Sequence, residues 1–363
     1  MTLERLVRGL IARGHKLHLV RPKQNDEGTT SGAGESEQTL VFGVRIPGYR
    51  DLNFGLPAAR RLFRLWRQRR PEIVHIATEG PLGWSALRAA RRLGIPVSSS
   101  FHTNFHSYGG HYGLGLMRNV ALRYLRRFHR STRVTFAPTA EICERLENDG
   151  FGDLRVLGRG VDTELFSPRK RCESLRREWG AGPETLVVGY FGRIAAEKNI
   201  DLAARAFLAI REARPDSVFV LVGDGPLAAE LKNRYPDFVY SGMRRGEDLA
   251  RHYASVDFFP FSSVTETFGN VITEAMASGV PVLSYDYAAA RLFIRHDENG
   301  AKVPFDDEKT FLDEARQLAA EPVKLRSMRE RARETALGLS WERVVESFEQ
   351  ELMVIAANSV RSQ

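Results

Sequence analysis

The 363-residue sequence predicts an α/β protein built from two doubly wound parallel-sheet domains. Three observations predict it. Short apolar runs of strand length alternate with helix-length segments along most of the chain, the order that builds parallel sheets covered by helices. Glycines and charged residues gather just after several of those runs, where open α/β sheets hold ligands. The alternation breaks at Gly158-Arg159-Gly160-Val161-Asp162-Thr163-Glu164-Leu165-Phe166-Ser167-Pro168. The break divides the chain into domains at 1–159 and 160–337, followed by a closing helical segment at 338–363, and a chain of this length has room for two cores.

Composition narrows the classes. Hydrophobic content of 43% with 27% charged residues is that of a globular chain. No apolar run reaches the length needed to span a bilayer, and the N-terminus has no apolar signal region. Cys143 and Cys172 stand in no metal-ligand spacing, so a reduced, cytoplasmic protein is expected. The net charge of +8 is uneven, with arginines crowded at 58–70 and 118–133. No nucleic-acid module is legible, so the expected partners of this charge are phosphorylated ligands or an anionic membrane surface.

In the first domain, Leu3–Arg13 has helical spacing, Lys16–Val20 reads as a strand and residues 23–38 as a polar loop. A strand at Thr39–Ile46, a helix at Leu56–Arg70, strands at Ile73–Ile76 and Val97–Ser100, and a helix between them at Leu82–Leu93 continue the pattern. An α/β domain of this kind ordinarily opens with a strand, and here the chain opens in a helix. We therefore expect a first strand and its glycine loop upstream of Met1, and higher activity when upstream residues are restored. After Ser100 comes Phe101-His102-Thr103-Asn104-Phe105-His106-Ser107-Tyr108-Gly109-Gly110-His111. Three histidines suggest a metal site, but no carboxylate or cysteine joins them. The position of the loop at a strand's carboxyl end points instead to ligand binding, and the same holds for Thr78-Glu79-Gly80-Pro81. Leu116–Arg130 is a second basic helix, with Met117, Val120, Ala121, Tyr124, Leu125 and Phe128 as one apolar stripe; a core-facing helix and an interfacial helix both satisfy that pattern. Strand Thr132–Pro138, helix Thr139–Asn148 and strand Asp153–Leu157 complete the domain.

The second domain opens with strand Leu186–Phe191, which runs into Gly192-Arg193-Ile194-Ala195-Ala196-Glu197-Lys198-Asn199 and a helix. A glycine and two cations between strand and helix make an anion cradle, since arginine binds phosphate bidentately and lysine as a point charge. The loop has neither the Walker spacing nor the three-glycine dinucleotide fingerprint. Strand Val218–Val222 ends in Gly223-Asp224-Gly225-Pro226, where glycines let a planar ring approach the backbone. Strand Phe238–Tyr240 leads to Ser241-Gly242-Met243, and helix Glu247–Ser255 to strand Val256–Pro260. Then comes Thr265-Glu266-Thr267-Phe268-Gly269-Asn270-Val271-Ile272-Thr273-Glu274, in which Thr267 or Gly269 opens a helix that Gly279 ends. A helix start attracts phosphate, whereas flanking carboxylates accept hydrogen bonds from sugar hydroxyls. Each glutamate alone reads as a solvent-exposed side chain; together they suggest a sugar nucleotide. After strand Val280–Ser284, helices at Glu308–Ala319, Pro322–Ala336 and Trp341–Ala356 close the chain.

Glu266 and Glu274, with Phe-Gly between them and Ala-Met-Ala-Ser-Gly after, closely resemble the paired-glutamate motif of retaining GT-B glycosyltransferases of family 4. The resemblance implies two Rossmann-like domains facing across a cleft, with the last helix crossing back to the first domain. It implies that Glu266 contacts donor-sugar hydroxyls and Glu274 the nucleotide ribose. Arg193 and Lys198 then bind the donor diphosphate beside Gly192. Gly223, Gly225 and Met243 lie by the base, and Phe268, Gly269, Asn270 and Val271 complete the donor site. On the other side His102 sits under the transferred sugar, with Glu79, Asn104 and His106 nearer the acceptor.

The function so implied is transfer of a hexose from a nucleotide diphosphate sugar to an acceptor hydroxyl with retention, by front-side displacement. No Asp-x-Asp site is present, and the cations with the helix start can stabilise the leaving diphosphate, so neither cofactor nor metal is expected. The first domain looks most like glycolipid-forming members, especially GDP-mannose-dependent mannosyltransferases, working on a lipid or glycan acceptor at the inner face of the cytoplasmic membrane. UDP-glucose or UDP-glucuronate as donor, and a non-catalytic sugar-nucleotide-binding protein, are the alternatives. A phosphorylase of the same fold is disfavoured because no lysine-anchored cofactor motif is evident.

Overall fold

The computed structural model describes residues 2–23, 37–45, 53–101 and 115–360. It divides into two compact units, Met1–Arg159 with Trp341–Gln363, and Gly160–Ser340.

The first unit runs α1 (Thr2–Ala12), β1 (His18–Pro22), β2 (Glu37–Val41), β3 (Gly43–Arg45), β4 (Asn53–Gly55), α2 (Ala59–Gln68), β5 (Val74–Ile76), α3 (Pro81–Arg92), β6 (Val97–Ser100), α4 (Gly115–His129), β7 (Val134–Ala137), α5 (Ala140–Asn148) and β8 (Leu154–Val156). Strands β5, β6, β7 and β8 pair in that order, all parallel, and β1 pairs parallel with β2. The expected single strand at 39–46 is two pieces, interrupted at Phe42, and the second piece pairs antiparallel with β4. Helix α2 starts at Ala59 rather than Leu56, because Pro57 disfavours a helical residue before it.

The apolar face of α4 differs from the expected stripe. Leu122, Leu125 and Phe128 are buried, whereas Val120 and Tyr124 face outward beside Arg123 and Arg127. The buried set follows the i, i+3 spacing of one core-facing stripe. The last helix, α14 (Trp341–Val360), belongs to this unit and packs on α1: Val345 fills the space over Gly9, and Arg13 and His15 both reach Glu349 at 2.6 Å.

Strand β6 is almost all serine, yet Ser98, Ser99 and Ser100 are buried. Buried hydroxyls need partners. His75 on β5 bonds Ser98 and Ser100 at 3.0 Å, and His129 at the end of α4 bonds Ser99 at 2.9 Å.

The second unit begins with α6 (Glu173–Glu178) and then alternates β9 (Val187–Phe191), α7 (Ile200–Ala213), β10 (Val218–Val222), α8 (Ala228–Arg234), β11 (Val239–Gly242), α9 (Gly246–Ser255), β12 (Phe259–Phe261), α10 (Asn270–Ala277), β13 (Val282–Tyr285), α11 (Ala288–Phe293) and β14 (Ala301–Val303), closing with α12 (Glu308–Ala319) and α13 (Pro322–Leu337). Two parallel ladders, β11-β10-β9 and β12-β13-β14, meet where Val188 pairs with Phe258. Gly189 N–H donates to Phe258 O (2.8 Å) and Asp257 N–H to Val187 O (2.7 Å). The order β11-β10-β9-β12-β13-β14 therefore reverses direction between β9 and β12, which is the topological switch point of a doubly wound sheet. The strands are buried on both faces and read as Val, Phe and Leu runs, as parallel strands do.

The seam is tied at its amino end by Asp257. Its carboxylate accepts from Arg171 (3.0 Å), Arg176 (2.8 Å), Arg329 (3.0 Å) and the Val187 N–H (3.0 Å). Burial alone would raise the pKa of this carboxyl, but the three guanidiniums outweigh it and hold the group below its ordinary value. Removing one member of a buried ion network costs about 3–5 kcal/mol. Asp257→Ala is therefore expected to lower the melting temperature of this unit by roughly 2–4 °C per kcal/mol lost. An acid with a depressed pKa stabilises above its ordinary value and loses that effect as pH falls through the folded value, so the difference from wild type should shrink in acid. Calorimetric unfolding across pH would show it; an equal melting temperature at neutral pH would remove Asp257 from this role.

Candidate active site

The site grows from the carboxyl ends of β9 and β12. Leaving β9, the chain passes through Gly192 and Arg193 into a 3-10 turn, Ala196–Lys198, and turns into α7 at Asn199, whose φ of 48° is left-handed. Asparagine tolerates that conformation better than most residues. Leaving β12, Ser262–Phe268 leads to Gly269, with φ of 91°, and α10 begins. Neither cap residue, Asn199 or Gly269, bonds the first turn of α7 or α10 through a side chain, and the positive ends of both helices lie at the site.

Short hydroxyl side chains tie the two loops together. Ser262 donates to Asn199 O (2.8 Å) and Thr265 to Glu197 O (2.9 Å). Lys198 Nζ reaches Glu266 Oε1 at 2.5 Å, and Ser263 Oγ donates to the same oxygen at 2.9 Å. Tyr287 holds the Ser263 carbonyl at 2.8 Å. Arg193 is mostly exposed and pairs with Glu197 at 3.2 Å, while its carbonyl accepts from the buried Tyr190 hydroxyl at 2.9 Å. Burial, then the Glu266 and Glu197 charges, push the Tyr190 phenol well above its ordinary pKa, so it stays a donor. Lys198 and Glu266, with Arg193 through its Glu197 pair, are thus brought together at the switch point. Tyr190, Ser263, Thr265 and Tyr287 belong with them and were not singled out from sequence. The one signal available was their position within a few residues of strand ends.

Glu274 lies in the second turn of α10, and the Tyr253 hydroxyl donates to its Oε2 at 3.0 Å. Burial raises this carboxyl to about 7, and the Tyr253 bond lowers it in part. Phe268 is fully buried, its ring near Phe293 and its carbonyl accepting from the Ala289 N–H (2.8 Å), so it belongs to the core. Gly269, Asn270 and Val271 form the first turn of α10, at the site.

The glycines after β10 serve a purpose that sequence did not indicate. A Cβ on Gly223 would lie 1.8 Å from Gly192 O, and one on Gly225 would lie 2.3 Å from Ile194 O. Their bare backbones let the β9 and β10 loops touch, joined by Gly192 N–H to Val222 O (3.1 Å) and Ile194 N–H to Asp224 O (3.0 Å). Gly223 N–H continues the chain of contacts to Gly242 O (3.0 Å), and Met243 follows as an exposed side chain.

In the first unit, Glu79 follows the carboxyl end of β5. Its Oε1 bonds His129 Nε2 at 3.1 Å, and Tyr124 donates to its carbonyl at 2.6 Å. Carboxylate, imidazole and the Ser99 hydroxyl form a line, but Ser99 is wholly buried in the sheet, so this is a support for Glu79 and not a nucleophilic centre. His102, Asn104 and His106 lie outside the described residues.

Among the described residues one group, His296, Asp297 and Glu314, has metal-like spacing. It does not suit a cation. The Lys302 N–H already donates to His296 Nδ1 at 3.2 Å, which leaves the proton on Nε2, and Lys324 neutralises Asp297 at 2.7 Å.

A switch point carrying two cations, two carboxylates and two uncapped helix starts, in a chain of two α/β units, defines a GT-B glycosyltransferase. The chain belongs to glycosyltransferase family 4. Residues 1–165 match the family described as Glycosyltransferase Family 4, and residues 185–321 match Glycosyl transferases group 1. A GDP-mannose-dependent alpha-mannosyltransferase of Mycobacterium tuberculosis is 34% identical over 341 residues, covering 90% of this chain and 85% of the relative. An alpha-monoglucosyldiacylglycerol synthase of Acholeplasma laidlawii is 24% identical, covering 81% and 78%. In fold the chain is similar to sucrose-phosphate synthase from Thermosynechococcus elongatus, with TM-score 0.78 at 17% identity over 98% of this chain and 93% of that one.

A carboxyl raised to about 7 has a cost that can be measured. Below its ordinary value both folded and unfolded chains hold the proton. Between that value and about 7 the folded chain holds more, so stability falls as pH rises through this window and the penalty is complete above it. Glu274→Gln should raise the melting temperature of the ligand-free protein at alkaline pH, with little change in acid. A variant equally stable or less stable than wild type in alkali would place the charge in water instead.

Proposed function

We propose that this chain transfers mannose from GDP-mannose to a hydroxyl of a membrane glycolipid, with retention of the anomeric configuration and without a metal or cofactor. The observation that carries the reading is the Lys198–Glu266 contact, with Glu274 on the helix that follows the same loop, which sets phosphate-binding and hydroxyl-binding groups beyond one pair of strand ends. The activities named for the mannosyltransferase and glycolipid-forming relatives support the donor and the acceptor class.

In this reading the diphosphate lies against the α10 start, Arg193 and Lys198. Lys198 has three donors, so it can turn from Glu266 to phosphate oxygens, freeing Glu266 for sugar hydroxyls. Glu274 accepts from the ribose. The bond from the anomeric carbon to the diphosphate breaks, and its electron pair stays on the leaving oxygen. The acceptor oxygen attacks the same face, and its proton passes to the leaving phosphate. Charge grows on the diphosphate as the bond breaks, so the cations act mainly in the transition state.

The acceptor sets the place of work at the inner face of the cytoplasmic membrane. Among the described residues no helix is long and apolar enough to cross it. Support for surface binding comes from α2 and α3. Arg60, Arg64, Arg88, Arg91 and Arg92 line a groove of about 580 Å³ with Phe63, over which Arg92 sits at 5.7 Å. None of the five has a carboxylate partner among the described residues, whereas Arg205, Arg211 and Arg234 in the second unit do.

Three experiments test these points. In steady-state kinetics, Arg193→Ala and Lys198→Ala should each lower kcat about a hundredfold, while Glu274→Ala chiefly raises the donor KM. GDP-mannose should stabilise the protein against heat more than UDP-glucose or UDP-glucuronate do. Near-normal kcat in both cation variants removes the cradle, and preference for a UDP-sugar removes GDP-mannose. In flotation, Arg64→Glu with Arg88→Glu should weaken binding to anionic vesicles at least tenfold, since each charge near such a surface contributes about 1 kcal/mol. Loss no greater than in Arg326→Glu with Arg331→Glu removes the groove from this role.

A further inference from the structure

We infer that Tyr253 is the positioning residue of the donor site: its hydroxyl occupies one oxygen of the Glu274 carboxylate and leaves the other turned to the ligand. The inference rests on the reading that Glu274 receives the ribose hydroxyls, and it adds how a buried side chain outside the motif makes that possible.

Tyr253 is almost wholly buried on α9. Its ring stacks on Phe191, the last residue of β9, at 3.7 Å and 16°, and meets Phe166 edge-on at 5.5 Å. It is therefore clamped, and its hydroxyl has little freedom to point elsewhere. That hydroxyl donates to Glu274 Oε2 at 3.0 Å, and it is the one side-chain group bonded to this carboxylate among the described residues. The Glu274 side chain is part-buried and not sealed in the core. A carboxylate has acceptor capacity for several hydrogen bonds, and one filled oxygen leaves the second for a diol.

Among the described residues, the surrounding elements offer no other charge to do this. Helix α13 packs on α10, but its Arg329 is taken by Asp257 and its Arg333 by the carbonyls of Phe166, Ala277 and Thr163. On α11, Arg291 turns to Asp286. Lys198 and Glu266, from the loops before α7 and α10, hold each other. Tyr253 remains a neutral donor, because burial and the Glu274 charge keep its phenol far above the ordinary range. Removing that donor makes the ionised carboxylate less favourable and also frees it to rotate. The consequence is specific: the nucleotide should bind more weakly wherever Glu274 protonates, and less so where it is ionised anyway.

The test is calorimetric titration of the protein with GDP and GDP-mannose from about pH 5.5 to about pH 9, comparing wild type with Tyr253→Phe. Wild-type affinity is expected to fall on the acid side. In the variant this limb should move to higher pH, with affinity roughly tenfold lower at neutral pH and recovering in alkali, while kcat at saturating donor stays within about twofold. Carrying 3-fluorotyrosine at position 253, a stronger donor in the same ring, should move the limb the other way. A loss that is equal at all pH values, or no loss, overturns the inference. A carboxyl titration of Glu274 by carbon NMR, assigned with Glu274→Gln in the ligand-free protein, decides the coupling without any ligand. Its midpoint should rise in Tyr253→Phe, and an unmoved midpoint overturns the inference. Should wild type bind neither nucleotide, the donor reading falls, and the NMR titration still judges Tyr253.

Discussion

The pairing of β9 with β12 is the constraint on which the second unit depends. Two three-stranded ladders become one sheet through the bridge between Val188 and Phe258 and two backbone hydrogen bonds beside it. Because the strand order reverses there, the carboxyl ends of the two strands form the switch point at which open α/β sheets hold ligands, and the loops leaving them are tied to each other. The candidate site of this unit stands on that point. The Asp257 network with its three arginines holds the amino end of the same seam. A buried carboxylate of this kind is stable only while its partners remain, so the seam is sensitive to loss of any one of them.

At the carboxyl end the design is different. Lys198 and Glu266 satisfy each other, and the helix starts carry no caps. Glu274 is held in surroundings that oppose its ionised form, with a single tyrosine offsetting part of that cost. Sites that are satisfied for stability have no capacity left for a ligand; this one keeps capacity in reserve. Glycines at 223 and 225 work toward the same end by backbone contact, since they let two loops share one small space.

The first unit manages buried polarity with histidines. A strand of three serines would be costly in a core, and His75 and His129 supply the missing partners. His129 does more, because its second nitrogen reaches Glu79 at the end of β5. The result is a carboxylate anchored by a side chain fifty positions away.

The sequence by itself determined the alternation of strands and helices, its break near Gly160, and the placing of Arg193, Lys198, Glu266 and Glu274 just beyond strand ends. Those signals are local: periodicity, glycine and charge at strand ends, and spacing along one helix are all written in neighbouring residues. The tertiary structure decided what no local signal carries. Strand order placed β12 beside β9 although seventy residues separate them, and so brought Lys198 onto Glu266. It put the Phe268 ring in the core, set Tyr253 under Glu274 and gave the β10 glycines their backbone neighbours. It also exposed Val120 and Tyr124 on α4, because helical period alone leaves open which side of a mixed face meets the sheet. Contacts between residues far apart in sequence depend on topology, and topology is chosen by packing the whole sheet at once.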